Sequence, residues 1–136
     1  MSVLTSRLRT VTTVLGLGAS VAAGVAMAPS AFAASSAPSA SQVAQEKAYA
    51  QQIVGAKFPG QAGQVQSFDN VIQRESTWNP NAVNASSGAA GLGQLMKGPG
   101  TGASYQTQLN AALDYMVQRY HTPDAAWAHE VAQGWY

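Results

Sequence analysis

The sequence predicts an all-α domain that follows an N-terminal export segment. In the larger, C-terminal part of the chain, apolar residues recur at spacings of three and four, which is the period of an amphipathic helix. No stretch alternates between apolar and polar residues for long, so no half-buried strand is expected. The chain has no cysteine, and an apolar core rather than disulfides must therefore stabilise the fold.

Residues 1–33 have the pattern of a secretory signal peptide. Arg7 and Arg9 give a basic start, an apolar run follows, and an Ala-Phe-Ala tripeptide ends at Ala33. We expect cleavage after Ala33, a secreted or cell-wall location and no membrane attachment afterwards. Removal of the two arginines changes the formal net charge from +1 to −1. No basic patch remains, which argues against nucleic acid as a partner.

The remaining chain is predicted to be a short lead-in followed by one domain. Residues 34–44 begin with small residues and proline and are interpreted as flexible, and residues 45–136 as the domain. The first helix is expected to start at an N-cap, Ser41, and to end at Pro59-Gly60. Its predicted apolar stripe consists of Val43, Tyr49, Ile53 and Val54.

A second helix is predicted over residues 63–78. Its apolar face continues to Glu75, which the helical period places on the buried side. The face comprises Val65, Phe68, Val71, Ile72 and Glu75. A segment rich in Asn, Ser and Gly follows, residues 79–94, and is expected to be an ordered loop.

Two more helices are predicted toward the C-terminus. The third spans residues 106–120 and the fourth residues 124–133, with a break at Pro123. In the fourth helix Trp127 and Val131 lie one turn apart. The face of the third helix comprises Leu109, Ala112, Leu113, Met116, Val117 and Tyr120.

Glu75 is the first candidate for a catalytic residue. Burial disfavours an ionised carboxylate and raises its pKa, and a glutamate that is protonated near neutral pH can act as a general acid. The structural alternative is that Glu75 belongs to the exposed last turn of its helix, with its carboxylate in water. The following loop favours the catalytic interpretation, because three glycines and Gln94 suit a backbone that approaches a ligand closely.

Two motif blocks resemble the lytic transglycosylase domain of the soluble type. The closing segment, residues 119–136, is similar to that of a small, secreted actinobacterial branch of this family. The matching residues are Glu75-Ser76, Pro80 and Ala82 in the first block, and Ser87-Gly88-Ala89, Gly91-Leu92 and Gln94 in the second.

The resemblance implies a lysozyme-like helical fold, related to goose-type lysozyme, and an active site that acts on peptidoglycan. It implies that Glu75 is the single catalytic acid and base, cutting the β-1,4 bond between N-acetylmuramic acid and N-acetylglucosamine. The substrate's own 6-hydroxyl would then leave a 1,6-anhydro end. The predicted substrate contacts are Ser76, Gly91, Leu92 and Gln94, together with Trp78 and Trp127 as sugar-stacking residues. We expect a monomer.

Two positions depart from the family pattern. Gly93 stands where many members have a methionine, and Trp127 stands roughly where many have a late tyrosine. An indole donates a hydrogen bond but neither accepts one nor ionises. The role of that tyrosine is therefore absent, or is filled by Tyr105, Tyr120 or Tyr136.

Two other functions remain open at this stage. One is hydrolysis of the same bond by water, which needs a second carboxylate at a defined separation. Asp69 lies on another part of its helix, and the three C-terminal carboxylates, Asp114, Asp124 and Glu130, are expected in solvent. The other is a weakly active or inactive cell-wall binding protein on the same fold.

No metal or cofactor is expected. The run from His129 to Gln133 begins like a zinc-binding helix but lacks its second histidine.

Overall fold

Four helices make up the part of the chain that the structure describes. The structure is a computed structural model, and it describes residues 36–136. These residues contain no strand, which confirms the predicted all-α class. The helices are α1 (Ala40–Lys57), α2 (Ala62–Ser76), α3 (Tyr105–Tyr120) and α4 (Pro123–Gln133).

The N-terminal boundary differs from the prediction in one respect. The predicted signal peptide, residues 1–33, lies outside the described residues. Helix α1 begins at Ala40, so residues 40–44 belong to the first helix and not to the lead-in. None of the helices within residues 36–136 is both long and apolar enough to cross a membrane.

The N-cap of α1 is Ser39 rather than Ser41. The Ser39 hydroxyl accepts a hydrogen bond from the backbone N–H of Gln42 at 3.2 Å, which satisfies one free donor of the first turn. The predicted stripe of this helix is only partly correct. Its fully buried residues are Glu46, Ala50 and Val54, whereas the other predicted stripe residues are half-buried.

Helix α2 ends at Ser76, two residues before the end of the predicted helix. Thr77 and Trp78 both adopt left-handed backbone conformations, with φ of 51° and 59°. The Thr77 N–H closes the helix on the Gln73 carbonyl at 3.1 Å. This sharp turn buries the Trp78 side chain completely.

Helix α4 starts with a proline and buries an unexpected face. Thr122 caps it, and Pro123 occupies its first turn. Backbone N–H groups of a first turn have no partner within the helix, so the N–H that proline lacks is not missed there. The prediction that Val131 lies on the buried face of this helix is wrong, since 59% of the residue is exposed. The buried residues of α4 are Pro123, Ala126 and Glu130.

The helices form a bundle in which each packs against two others. The order around the bundle is α1, α2, α4, α3. Trp78 and Leu92, from the segment between α2 and α3, complete the core. The helical core residues are Ala50, Val54, Phe68, Val71, Ile72, Leu109, Ala112, Leu113, Met116 and Ala126. Because the third and fourth helices close on the first two, residues from the C-terminus reach the end of α2.

Candidate active site

A cavity of about 340 Å³ lies at the C-terminal end of α2. Helices α2 and α3, the segment before α3 and the residues after α4 all contribute to it. Its lining consists of Glu75, Gln94, Leu95, Met96, Lys97, Tyr115, Trp135 and Tyr136. The two candidates that sequence reasoning placed at one cleft, Glu75 and Gln94, are thus brought together.

Glu75 is half-buried in this lining, and burial raises its pKa. The neighbouring Arg74 cation and a side-chain hydrogen bond with Glu130 act in the opposite direction, but the effect of burial is larger. Among residues 36–136, Glu75 is the one carboxylate that lines the cavity. This environment is the one that a general acid needs.

A second acidic side chain, Glu130 of α4, contacts Arg74, the residue that precedes Glu75 in α2. The sequence predicted it in solvent, but its side chain is fully buried. The prediction failed because α4 packs against α2 and turns this position toward it. Arg74 Nε lies 3.2 Å from Glu130 Oε1 and forms an ion pair with it.

Gln108 of α3 holds the glycine-rich loop against the bundle. Its Oε1 accepts a hydrogen bond from the Leu92 N–H at 2.8 Å, and its Nε2 donates to the carbonyls of Pro80 and Ala103. Gly91 has φ of 78°, and a Cβ there would lie 2.6 Å from Gln108 Oε1. A residue with a side chain at position 91 would therefore displace the loop.

Gln94 is fixed by the same loop. Its Nε2 donates to the carbonyls of Ala82 and Gly91 at 3.1 and 2.8 Å. The side chain lines the cavity while its amide hydrogens are used by the backbone. The part left for a ligand is the amide oxygen, which can accept a hydrogen bond.

Gly93 and Tyr136 meet at the edge of the cavity. The Tyr136 hydroxyl donates to the Gly93 carbonyl at 2.5 Å. A Cβ at Gly93 would lie 2.9 Å from that hydroxyl and 2.7 Å from Ala112 Cβ. The glycine therefore makes room for the tyrosine. Met96 lies three residues further along and lines the cavity, so a methionine is still present there.

Trp135 is an aromatic wall of the cavity that sequence reasoning did not select. It is 50% exposed, and its ring packs edge-on against His129 with centroids 4.4 Å apart. The Arg119 guanidinium lies 5.3 Å from the Trp135 ring centroid. Gly134, with φ of 83°, ends α4 and turns the chain back toward the cavity. That glycine was the only local signal for this turn.

Several predicted substrate contacts do not line the cavity. Trp78 is fully buried in the core, and Trp127 packs against the core at the bundle side. Leu92 is also a core residue, and Gly91 shapes the loop behind it. Ser76 is buried, and its hydroxyl donates to the Ile72 carbonyl at 3.1 Å, so it stabilises the last turn of α2 and does not face the cavity. These residues lie outside the cavity lining, so the geometry does not support the predicted contact between them and a sugar.

Comparison with protein families identifies this arrangement. A model described as "Transglycosylase SLT domain" matches residues 61–129. The chain belongs to this family. The match includes Glu75 and Gln94 and stops before Trp135 and Tyr136. A lysozyme-like, all-α lytic transglycosylase domain agrees with the four helices observed.

Two curated relatives of this transglycosylase domain come from staphylococci. A protein named "Probable transglycosylase IsaA" from Staphylococcus xylosus is 34% identical over 83 residues, which are 61% of this chain and 33% of that protein. Its namesake from Staphylococcus haemolyticus is 36% identical over 80 residues, 59% of this chain and 33% of that protein. The chain thus spans about a third of the length of these relatives. No solved structure matches it significantly. The predicted actinobacterial branch stays a prediction.

Proposed function

We propose that this protein is an exported lytic transglycosylase that cuts peptidoglycan between N-acetylmuramic acid and N-acetylglucosamine. The observation that carries the proposal is the position of Glu75. Its carboxyl lines a cavity of sugar-binding size, and burial raises its pKa. The family match and the printed names of the relatives support the same class of reaction.

The proposed reaction needs only one carboxyl group in the cavity. Glu75 donates its proton to the glycosidic oxygen, and the C1–O bond breaks. The substrate's 6-hydroxyl then bonds to C1 and returns a proton to Glu75, which leaves a 1,6-anhydro end. The lack of a second cavity-lining carboxylate within residues 36–136 favours this route over activation of water.

The cavity walls suit a pyranose ring. Trp135 and Tyr115 offer aromatic faces for the apolar side of a sugar, and Gln94 and Lys97 offer polar groups for its hydroxyl and acyl oxygens. Peptidoglycan strands are therefore the proposed partner. We further propose that the protein acts as a monomer.

Tyr136 is our candidate for the tyrosine that the family places late in its sequence. Of the three tyrosines left open, Tyr136 is the one that lines the cavity with Glu75. Tyr105 packs edge-on against Tyr49, and Tyr120 packs against His129. Burial and the nearby carboxylates raise the pKa of Tyr136 well above its usual range, which keeps the phenol protonated.

Export follows from the predicted signal peptide, residues 1–33, which we propose is cleaved after Ala33. N-terminal sequencing of protein recovered from the culture medium and cell wall checks this point, because a start at Ala34 is expected. Recovery of the intact N-terminus would contradict cleavage.

The decisive experiment is mass spectrometry of the fragments that the purified protein releases from peptidoglycan. Anhydro-terminated fragments from the wild type and none from Glu75→Gln are expected, since the amide keeps the shape but carries no acidic proton. Asp114→Asn is the matched control, because it removes an exposed carboxylate outside the cavity. Reducing-end fragments would instead establish hydrolysis, and wall binding without any release would establish a binding protein.

A further inference from the structure

Trp135 lies in the segment after α4, beyond residue 129, where the family match ends. It lines the cavity that contains Glu75, although half of the residue is exposed to solvent. The backbone ladder of α4 does not hold it, because that helix ends at Gln133. A group that positions a substrate must itself be held in place. The contacts that hold Trp135 therefore bear on substrate binding.

His129 of α4 contacts both the backbone and the ring of Trp135. Its Nδ1 lies 2.9 Å from the Trp135 carbonyl oxygen. Because a carbonyl oxygen only accepts hydrogen bonds, Nδ1 carries the hydrogen and donates it. The same imidazole packs edge-on against the Trp135 indole, with ring centroids 4.4 Å apart. One side chain thus restrains the residue at two points.

Arg119 of α3 adds a cation to the same group of rings. Its guanidinium carbon lies 5.3 Å from the ring centroid of Trp135 and 5.5 Å from that of Tyr120, and its Nε donates to the Tyr120 hydroxyl at 3.0 Å. The Tyr120 ring in turn lies against His129, with centroids 5.0 Å apart. Neither ion pair within residues 36–136 involves Arg119, so this cation faces aromatic rings rather than a carboxylate.

We propose that His129 and Arg119 are positioning residues that hold Trp135 in place as the sugar-stacking wall of the cavity. This inference rests on the proposed function, because it assigns the wall to a bound glycan strand. Neither residue lines the cavity, so both act through Trp135 and not on the substrate. An indole that is held in advance loses little conformational freedom when a pyranose ring stacks on it, and binding is tighter for that reason.

These contacts should govern substrate affinity rather than the chemical step. Tyr136, the neighbour of Trp135, has its own hydrogen bond to the Gly93 carbonyl, and Glu75 belongs to α2. Loss of the His129 contact therefore loosens the indole while the acid and the phenol stay in place. KM for peptidoglycan should rise with little change in kcat, which is the opposite of the effect expected for the Tyr136 hydroxyl.

The test compares cleavage kinetics of His129→Leu and His129→Asn. Leucine has no donor, so KM should rise roughly three- to tenfold, the range that corresponds to one hydrogen bond. Asparagine carries an amide nitrogen at the position of Nδ1 and should keep most of the wild-type affinity. Gln133→Leu, at an exposed position of the same helix, is the control and should leave KM unchanged. Equal KM values for the leucine and asparagine variants would overturn the proposal.

Nitrogen-15 relaxation of the indole N–H groups provides a readout that does not depend on cleavage. The chain has three tryptophans, and loss of one signal in Trp135→Phe identifies that of Trp135. Its heteronuclear NOE should fall in His129→Leu, because the indole becomes mobile, and should stay near the wild-type value in His129→Asn. The buried Trp78 indole is the internal reference.

The two readouts separate failure of this inference from failure of the proposed function. An unchanged NOE of Trp135 in His129→Leu would overturn the inference even if the wild type cleaves peptidoglycan. If the wild type releases no fragments, the proposed function fails, and the NOE still decides whether Trp135 is held. Should His129→Leu fail to fold, the exposed Arg119→Gln decides alone, with a roughly two- to fivefold rise in KM and a lower NOE expected. Wild-type values of both in that variant would overturn the inference.

Discussion

Gly93 and Tyr136 are coupled through one short contact at the edge of the cavity. The hydroxyl of Tyr136 donates to the Gly93 carbonyl, and the glycine leaves the space in which the ring lies. Neither residue could be assigned this role from its own place in the sequence, because 43 positions separate them along the chain.

Replacement of Gly93 tests the space that this contact needs. Gly93→Ala should destabilise the protein by roughly 1–3 kcal/mol, since the new Cβ would overlap Ala112 and the Tyr136 hydroxyl. It should also reduce cleavage by displacing Tyr136. Gly102→Ala is the matched control, because nothing lies within 4 Å of a Cβ there. Equal stability of the two variants in urea unfolding would contradict the packing described.

Replacement of Tyr136 tests its hydroxyl separately from its ring. Tyr136→Phe removes the hydrogen bond to Gly93 and should cost about 1 kcal/mol of unfolding free energy. If the phenol assists Glu75, kcat should fall several-fold while KM changes little. Tyr105→Phe serves as the control, because Tyr105 lies outside the cavity lining. Unchanged kcat in Tyr136→Phe would remove Tyr136 from the site chemistry.

At the scale of elements, the site depends on how the loop between α2 and α3 is held. This segment has little regular structure, and its position is set by hydrogen bonds rather than by a strand. Gln108, which is 3% exposed, satisfies backbone groups on both sides of the loop. The sequence offered no sign of this, because Gln108 stands on a helix among other polar residues.

Loss of the Gln108 amide should therefore damage both stability and activity. Gln108→Leu leaves the Leu92 N–H and two carbonyls without partners, and a loss of roughly 2–4 kcal/mol in unfolding free energy is expected. Cleavage should fall because Gln94 loses its support. Gln118→Leu, at an exposed position of the same helix, is the control. A melting temperature equal to that of the control would show that the loop is held by other contacts.

At the scale of the whole molecule, the fold buries several carboxyl groups whose pKa values are raised. Burial is the leading cause for Glu46, Asp69, Glu75 and Glu130. A group whose pKa is higher in the folded state stabilises the fold fully below its unfolded pKa, and this contribution is lost as the pH rises through the folded pKa. For Glu130 the interval runs from 4.5 to about 7.

The protein should consequently be more stable in mild acid than at neutral pH. Between about pH 5 and about pH 7.5, the free energy of unfolding should fall by roughly 1–3 kcal/mol. Urea unfolding at several pH values measures this slope, and Glu130→Gln should make it shallower. A stability that rises over the same interval would show that these carboxyls are ionised and paired in the folded state.

The sequence by itself determined the number of helices, their approximate bounds and the position of Glu75 on a buried face. The helical spacing of apolar residues and the residues at the turns predict these features, because each helix must bury its own apolar stripe. The motif around Glu75 and Gln94 likewise pointed to the family that residues 61–129 match.

Only the tertiary structure decided what surrounds the catalytic candidate. Glu130 was predicted in solvent, Trp78 and Trp127 were predicted against the sugar, and the choice among three tyrosines was open. The surroundings of Glu130, Trp127 and the tyrosines depend on how α3, α4 and the residues after α4 pack together, whereas the turn after α2 buries Trp78. Such contacts join positions far apart in the chain, and a helical period fixes which face a residue occupies but not which neighbour that face meets.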